Sequence, residues 1–84
     1  MAEYFRIPYN ITSFTQIDIP KNVTHIYCYM HNFTSFIGCP DHITHIICSN
    51  NQITSFEFLP DSIQELLLNF YQIQYKNYFV IIIK

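Results

Sequence analysis

Histidine and carboxylate side chains recur at a constant spacing along this chain, at His25, His45 and Glu65. On neighbouring strands of a sheet they would lie about 4.8 Å apart. At that distance, two imidazoles and a carboxylate could share a metal ion such as zinc. The preferred interpretation is that they are solvent-facing polar residues, repeated because the surrounding segment was copied. Weak metal binding by this column is kept as an alternative.

Cysteine is the other residue type with reactive potential, and the chain has three of them, Cys28, Cys39 and Cys48. Cys28 and Cys48 share the spacing of the histidines, and we expect both to be reduced and to pack inward as small apolar residues. Cys39 is close to His42 in sequence, but it occupies the position that Leu59 fills one unit later, which favours packing. The sequence has no CxxC pair, glycine-rich phosphate loop, GxSxG or HExxH motif. It therefore predicts no enzyme and no cofactor.

The spacing of these residues belongs to a longer repeat. The triplet TSF occurs at 12–14, 34–36 and 54–56, and three units start at the β-branched residues Val23, Ile43 and Ile63. A period of about 20 residues is typical of stacked repeats that bury a shared core. It predicts short parallel strands near 24–28, 44–48 and 64–68, joined by extended or single-turn return segments. Prolines that precede the strands hold these returns extended, and they are Pro20, Pro40 and Pro60.

The predicted core follows from the period. Inward positions in three successive units are Val23, Ile43 and Ile63; Ile26, Ile46 and Leu66; Cys28, Cys48 and Leu68; and Phe33, Ile53 and Ile73. The other side of the core is assigned to Phe14, Phe36 and Phe56, with Ile19, Cys39 and Leu59. Residues 1–10 are interpreted as a degenerate N-terminal cap in which Arg6 occupies an inward position. Residues 74–84 are interpreted as an incomplete C-terminal repeat or an edge strand, because Ile83 is in phase with Ile63.

Composition limits the possible functions. The chain has 84 residues, of which 50% are hydrophobic and 12% charged, with a formal net charge of −2. Its four basic residues are scattered, so electrostatic binding of nucleic acid or of an anionic membrane is not expected. No apolar run is long enough for a signal peptide or a membrane span. The sequence predicts a soluble intracellular protein.

The segment 43–53, ITHIICSNNQI, fits the pattern LxxLxLxxNxL with Ile and Cys in place of Leu, and 59–63, LPDSI, fits LPxxL with Ile in the last position. On these motifs, residues 11–73 resemble about three units of the leucine-rich repeat family. The short LPxxL type is found in bacterial effectors and in repeat proteins of amoebae and giant DNA viruses, and the latter would imply the host cytoplasm. The resemblance implies a mainly β solenoid whose concave sheet holds a protein partner. Asn51 holds the family's asparagine position, while His31 and Tyr71 replace it in the flanking units.

A partner-binding surface is predicted on the strand residues that face away from the core. A stripe of exposed apolar residues marks interaction sites more often than single exposed residues do, and tyrosines are good anchors. The stripe alternatively serves only to raise β-propensity. The predicted function is a non-enzymatic protein interaction module, with a truncated structural fragment of a longer repeat protein as an alternative. The outward columns are His25, His45 and Glu65; Tyr27, Ile47 and Leu67; and Tyr29, Ser49 and Asn69.

Structural roles are predicted for Asn51, for the three prolines and for four inward residues, Ile46, Cys48, Leu66 and Leu68. The apolar stretch Tyr78–Ile83 is a candidate edge for self-association. The alternative is that this stretch is the remnant of a longer repeat array. The sequence favours that alternative slightly.

Overall fold

A computed structural model of the chain describes residues 4–28, 32–49, 52–53, 55–71 and 76–82; at 49, 68–71 and 76–82 it describes the backbone alone. The described residues form one five-stranded sheet, and the strands lie in it in chain order. The 3-10 turn Phe14–Gln16 is the one helical element among them. The described part of the chain has no helix that could cross a membrane. The strands are β1 (Tyr4–Arg6), β2 (His25–Tyr27), β3 (His45–Ser49), β4 (Glu65–Tyr71) and β5 (Lys76–Ile82).

The first four strands are parallel, which confirms the predicted parallel sheet. His25 pairs with His45 and His45 with Glu65, so β2, β3 and β4 are in register at the repeat spacing. Backbone hydrogen bonds recur at the same spacing. The carbonyl of Thr24 accepts from the amides of Thr44 (2.8 Å) and His45 (3.1 Å), and the carbonyl of Thr44 accepts equivalently from the next unit. Successive units therefore stack with the same local geometry.

Each of the three prolines starts a β-turn that leads into a strand. The proline carbonyl accepts a hydrogen bond from the amide three residues later, as from Val23 to Pro20 at 3.0 Å. The same bond joins Ile43 to Pro40 at 3.4 Å and Ile63 to Pro60 at 3.2 Å. The turns set where each strand begins and so keep neighbouring units in register.

The core lies behind the sheet, between the strands and the return segments. Phe14 and Phe33 meet edge to face there, with ring centroids 4.8 Å apart. Val23, Cys39 and Leu59 are only partly buried and pack against this core. The inward positions Leu68 (side chain) and Ile73 lie outside the described residues. The buried residues are Ile7, Phe14, Ile19, Ile26, Cys28, Phe33, Phe36, Ile43, Ile46, Cys48, Ile53, Ile63 and Leu66.

The assignment of Arg6 to an inward position is wrong. β1 is a true strand of the sheet, and its register pairs Arg6 with Tyr27, on the face away from the core. The inward residues of this segment are Phe5, which packs against the core, and the buried Ile7. The error arises because paired residues of β1 and β2, such as Tyr4 and His25, lie further apart in the sequence than paired residues of β2 and β3, such as His25 and His45. The loops of the first unit differ in length from those of the later units.

The assignment of Phe56 to the core is also wrong. Phe36, at the same position of the preceding TSF triplet, is fully buried, but Phe56 is 54% exposed. The return segment that contains Phe56 is the last one among the described residues, and no described return segment follows to cover it. A repeat unit at the end of a stack loses the neighbour that buries its outer side.

β5 departs from the parallel order of the other strands. It pairs with β4 antiparallel, with Leu67 opposite Val80 and Glu65 opposite Ile82. Of residues 74–84, the described segment therefore forms an edge strand and does not extend the parallel repeat. The neighbouring residues 72–75 and Ile83 lie outside the described residues.

Candidate interaction face

The outer face of the sheet is the face opposite the core, formed by alternate residues of the parallel strands. Ile26, Ile46 and Leu66 are buried, and the residues on either side of each point outward. Two columns cross the four strands on this face. The polar column consists of Tyr4, His25, His45 and Glu65, and the apolar column consists of Tyr27, Ile47 and Leu67, with Arg6 at its β1 end.

The two histidines of the polar column form a stack. The rings of His25 and His45 are nearly parallel (5°), with centroids 4.0 Å apart. The ring of Tyr4 meets His25 edge-on, with centroids 5.0 Å apart. Because the strands are parallel and in register, equivalent side chains lie directly beside one another.

The threonine that precedes each histidine orients the ring. The Oγ1 atom of Thr24 lies 2.8 Å from Nδ1 of His25, and Thr44 makes the same contact with His45 at 2.8 Å. Both rings therefore present Nδ1 to their own threonine. The Thr-His pair recurs in the sequence at 24–25 and 44–45, a signal from which this arrangement could have been expected.

The surroundings of His25 lower its pKa below 6.5. Partial burial is the main cause and the neighbouring His45 adds to it, while the carboxylate of Glu65 acts in the opposite direction. His25 is therefore neutral at pH 7.

Stability is expected to fall as the pH drops from 7 to 5, in part because of His25. Its pKa is lower in the folded chain than in the unfolded chain, so its contribution is complete above 6.5 and is lost as the pH falls through the folded pKa. Urea unfolding at pH 7 and pH 5 measures the loss. The His25→Gln variant should show a smaller loss than the wild type, and an identical loss in both would contradict this role of His25.

The apolar column lies beside the polar column, at the next outward position of each strand. Tyr27, Ile47 and Leu67 are each partly exposed, so the column presents continuous apolar surface across β2, β3 and β4. The guanidinium carbon of Arg6 lies 4.9 Å from the centre of the Tyr27 ring, within the range of a cation–π contact. The sequence interpretation missed Tyr4 and Arg6 as members of the two columns, because β1 does not keep the offset of the later strands.

The remaining predicted site residues are described only in part. Ser49 and Asn69 pair in the backbone of β3 and β4, and their side chains lie outside the description. Tyr29 and Asn51 lie outside the described residues, so the third column and the asparagine position stay predictions.

The described histidines, cysteines and carboxylates form no group of three that could hold a metal ion. The nearly parallel rings of His25 and His45 give a physical reason, because parallel rings do not direct their nitrogen atoms to one point. All three cysteines are reduced thiols. A hydrogen bond with Cys28, together with burial, raises the pKa of Cys48, and burial raises the pKa of Cys39 to about 12. Protonated Cys39 and Cys48 are poor nucleophiles and poor metal ligands.

Comparisons of the chain with protein-family models, with curated proteins and with solved structures find no match.

Proposed function

We propose that this chain is a short solenoid of leucine-rich-repeat type that binds a protein partner on its outer face. The observation that carries the proposal is the apolar column of Tyr27, Ile47 and Leu67, laid across three parallel strands and flanked by a polar column. The recurrence of the same backbone hydrogen bonds from one unit to the next supports the solenoid architecture.

The chemistry of the outer face suits a protein partner. A partner that covers the apolar column removes its remaining water contact, which is the main favourable term in association. Tyr27 offers an aromatic anchor, and the polar column supplies a rim that can hydrogen-bond. The scattered basic residues and the net charge of −2 give no comparable support for a nucleic acid.

Exposed phenylalanines favour a second candidate, in which these units are a structural part of a longer stack. Phe56 and Phe58 are both more than half exposed on the last described return segment. A further unit stacked there would bury them. In that case the outer face has no partner of its own, and the binding experiment below separates the two candidates.

Selection from a displayed random-peptide library tests the proposed function. The wild type should enrich peptides that the Tyr27→Ser/Leu67→Ser variant does not retain, because the variant removes most of the apolar column. The matched control is Tyr9→Ser/Ile37→Ser, which makes the same kind of change at exposed positions in turns away from the face. Equal enrichment by all three proteins, or by none of them, would contradict the proposal.

A further inference from the structure

The hydrogen bonds of Thr44 favour one tautomer of His45. The Thr44 hydroxyl lies 3.2 Å from the carbonyl of Thr24, which can only accept, and 2.8 Å from Nδ1 of His45. When the single hydroxyl hydrogen is donated to the carbonyl, the contact with His45 runs in the other direction, with Nδ1–H as the donor. In that arrangement neutral His45 has a bare lone pair on Nε2.

The Nε2 atoms of both stacked histidines are open to an outside ligand. Among the described residues, no hydrogen bond reaches Nε2 of His25 or His45. Both rings turn Nδ1 to a threonine and are nearly parallel, so their Nε2 edges lie on the same side of the polar column. His42 provides a contrast, because its Nε2 lies 3.1 Å from the carbonyl of Pro20 and must donate to it.

The charged and titratable groups around the stack come from three strands. β4 contributes the exposed carboxylate of Glu65, in register with His45. β1 contributes Tyr4, edge-on to His25, and Arg6, whose guanidinium lies over Tyr27 in the apolar column; Tyr27 itself comes from β2. Within the described part of the polar column, Glu65 is thus the only formal charge at neutral pH. The column offers hydrogen-bond acceptors at His45 Nε2 and at Glu65.

We propose that His45 and Glu65 bind the guanidinium group of an arginine in the partner, which makes the partner a basic and apolar peptide segment. This inference rests on the proposed function of the outer face. A guanidinium group has five N–H donors and no acceptor, and it matches a carboxylate in a two-pronged contact. A further N–H can reach Nε2 on the adjacent strand, about 4.8 Å away. The aliphatic stem of the arginine packs on the neighbouring Ile47 and Leu67.

Acidification adds positive charge beside this site. Burial and the neighbouring His45 hold the pKa of His25 below 6.5, and protonation of His25 places a second positive charge near the bound guanidinium. The basic segment therefore binds more weakly as the pH falls through the lowered pKa of His25. An acidic segment would show the opposite dependence and would bind better at low pH.

Titration of the protein with two capped pentapeptides tests the inference. In one peptide leucine alternates with arginine, and in the other leucine alternates with glutamate. At pH 7.5 the arginine peptide should bind, and the Glu65→Gln variant should lose about tenfold in affinity, the scale of one charge-assisted hydrogen bond. Glu65 is exposed, so the substitution leaves the fold intact. Binding should weaken at pH 5.5. Preference for the glutamate peptide, equal affinity for both, or tighter binding at pH 5.5 would overturn the inference.

Nitrogen NMR of the histidine rings gives a second, independent readout. At pH 7.5, Nε2 of His45 should show the shift of an unprotonated nitrogen and should move when the arginine peptide is added. His42 is the internal control, because its Nε2 carries a hydrogen and lies outside the polar column. A protonated Nε2 in His45 would overturn the inference. If library peptides bind through Tyr27 and Leu67 but carry no arginine, this inference fails and the proposed function stands; if none binds, both fail.

Discussion

Replacing Phe36 with alanine is expected to cost about 3–5 kcal/mol in the free energy of unfolding, the range measured for large aromatic residues removed from cores. The side chain is fully buried in the core, so its loss removes apolar contacts and leaves a cavity. A domain of this length has little stability in reserve. Far-UV circular dichroism should show a chain that is largely unfolded at room temperature or that unfolds at much lower urea concentration.

The matched control for Phe36 is Phe56→Ala, one unit further along. Both residues end a TSF triplet, but Phe56 is 54% exposed. Because an exposed side chain has little packing to lose, we expect a change of about 1 kcal/mol or less. Losses of similar size in the two variants would contradict the difference in burial between Phe36 and Phe56.

Replacing Gly38 with alanine is expected to destabilise the chain by about 2–4 kcal/mol, from left-handed backbone strain and overpacking together. Gly38 has a φ of +84°, in a turn closed by the bond from the Cys39 amide to the Phe36 carbonyl (2.9 Å). A Cβ atom there would lie 2.9 Å from Thr15 Cγ2, 3.0 Å from Thr15 N and 3.2 Å from the Phe14 carbonyl carbon. Two of these atoms are backbone, so the neighbour cannot easily move away.

The matched substitution is Phe58→Gly, at the equivalent position of the next unit. Phe58 has a φ of +66°, in the turn closed between Leu59 and Phe56, and its side chain is 56% exposed. Glycine relieves the left-handed strain and little packing is lost, so we expect a gain of about 0.5–1 kcal/mol after the entropic cost of glycine. Urea midpoints that move in opposite directions for the two variants would support this account. A loss of stability in Phe58→Gly would contradict it.

The parallel sheet could be predicted because a constant period determines register. Once His25, His45 and Glu65 are equivalent, strand pairing at the offset of one repeat follows, and so does the alternation of buried and outward residues around Ile26, Ile46 and Leu66. The local pattern is sufficient because each unit packs mainly on its neighbours.

Departures from the period could not be predicted in the same way. The longer offset between β1 and β2 moved Arg6 to the outer face, and loop lengths that alter such an offset cost little free energy and leave little trace in the pattern. The exposure of Phe56 depends on whether a neighbouring segment covers it, and the TSF triplet itself carries no signal for that. The apolar spacing of the β5 residues likewise does not encode their antiparallel pairing with β4.

The stacked histidines lie between these two cases. Their proximity follows from the period, and the repeated Thr-His pair indicates a threonine beside each ring. The direction of the Thr44 hydroxyl, however, depends on the carbonyl of Thr24 in the neighbouring unit. This contact joins two units, so it cannot be predicted from the sequence of either unit alone, and it bears on which ring nitrogen is open to a ligand.

The most direct test of the proposed function is the dissociation constant of a library-selected peptide, measured by calorimetry on three proteins. The wild type and the Tyr9→Ser/Ile37→Ser control should bind equally. The Tyr27→Ser/Leu67→Ser variant should bind at least about tenfold more weakly, since each tenfold step corresponds to about 1.4 kcal/mol of lost contact. Equal binding by all three folded proteins, or a loss confined to the control variant, would contradict the assignment of the outer face as the binding surface.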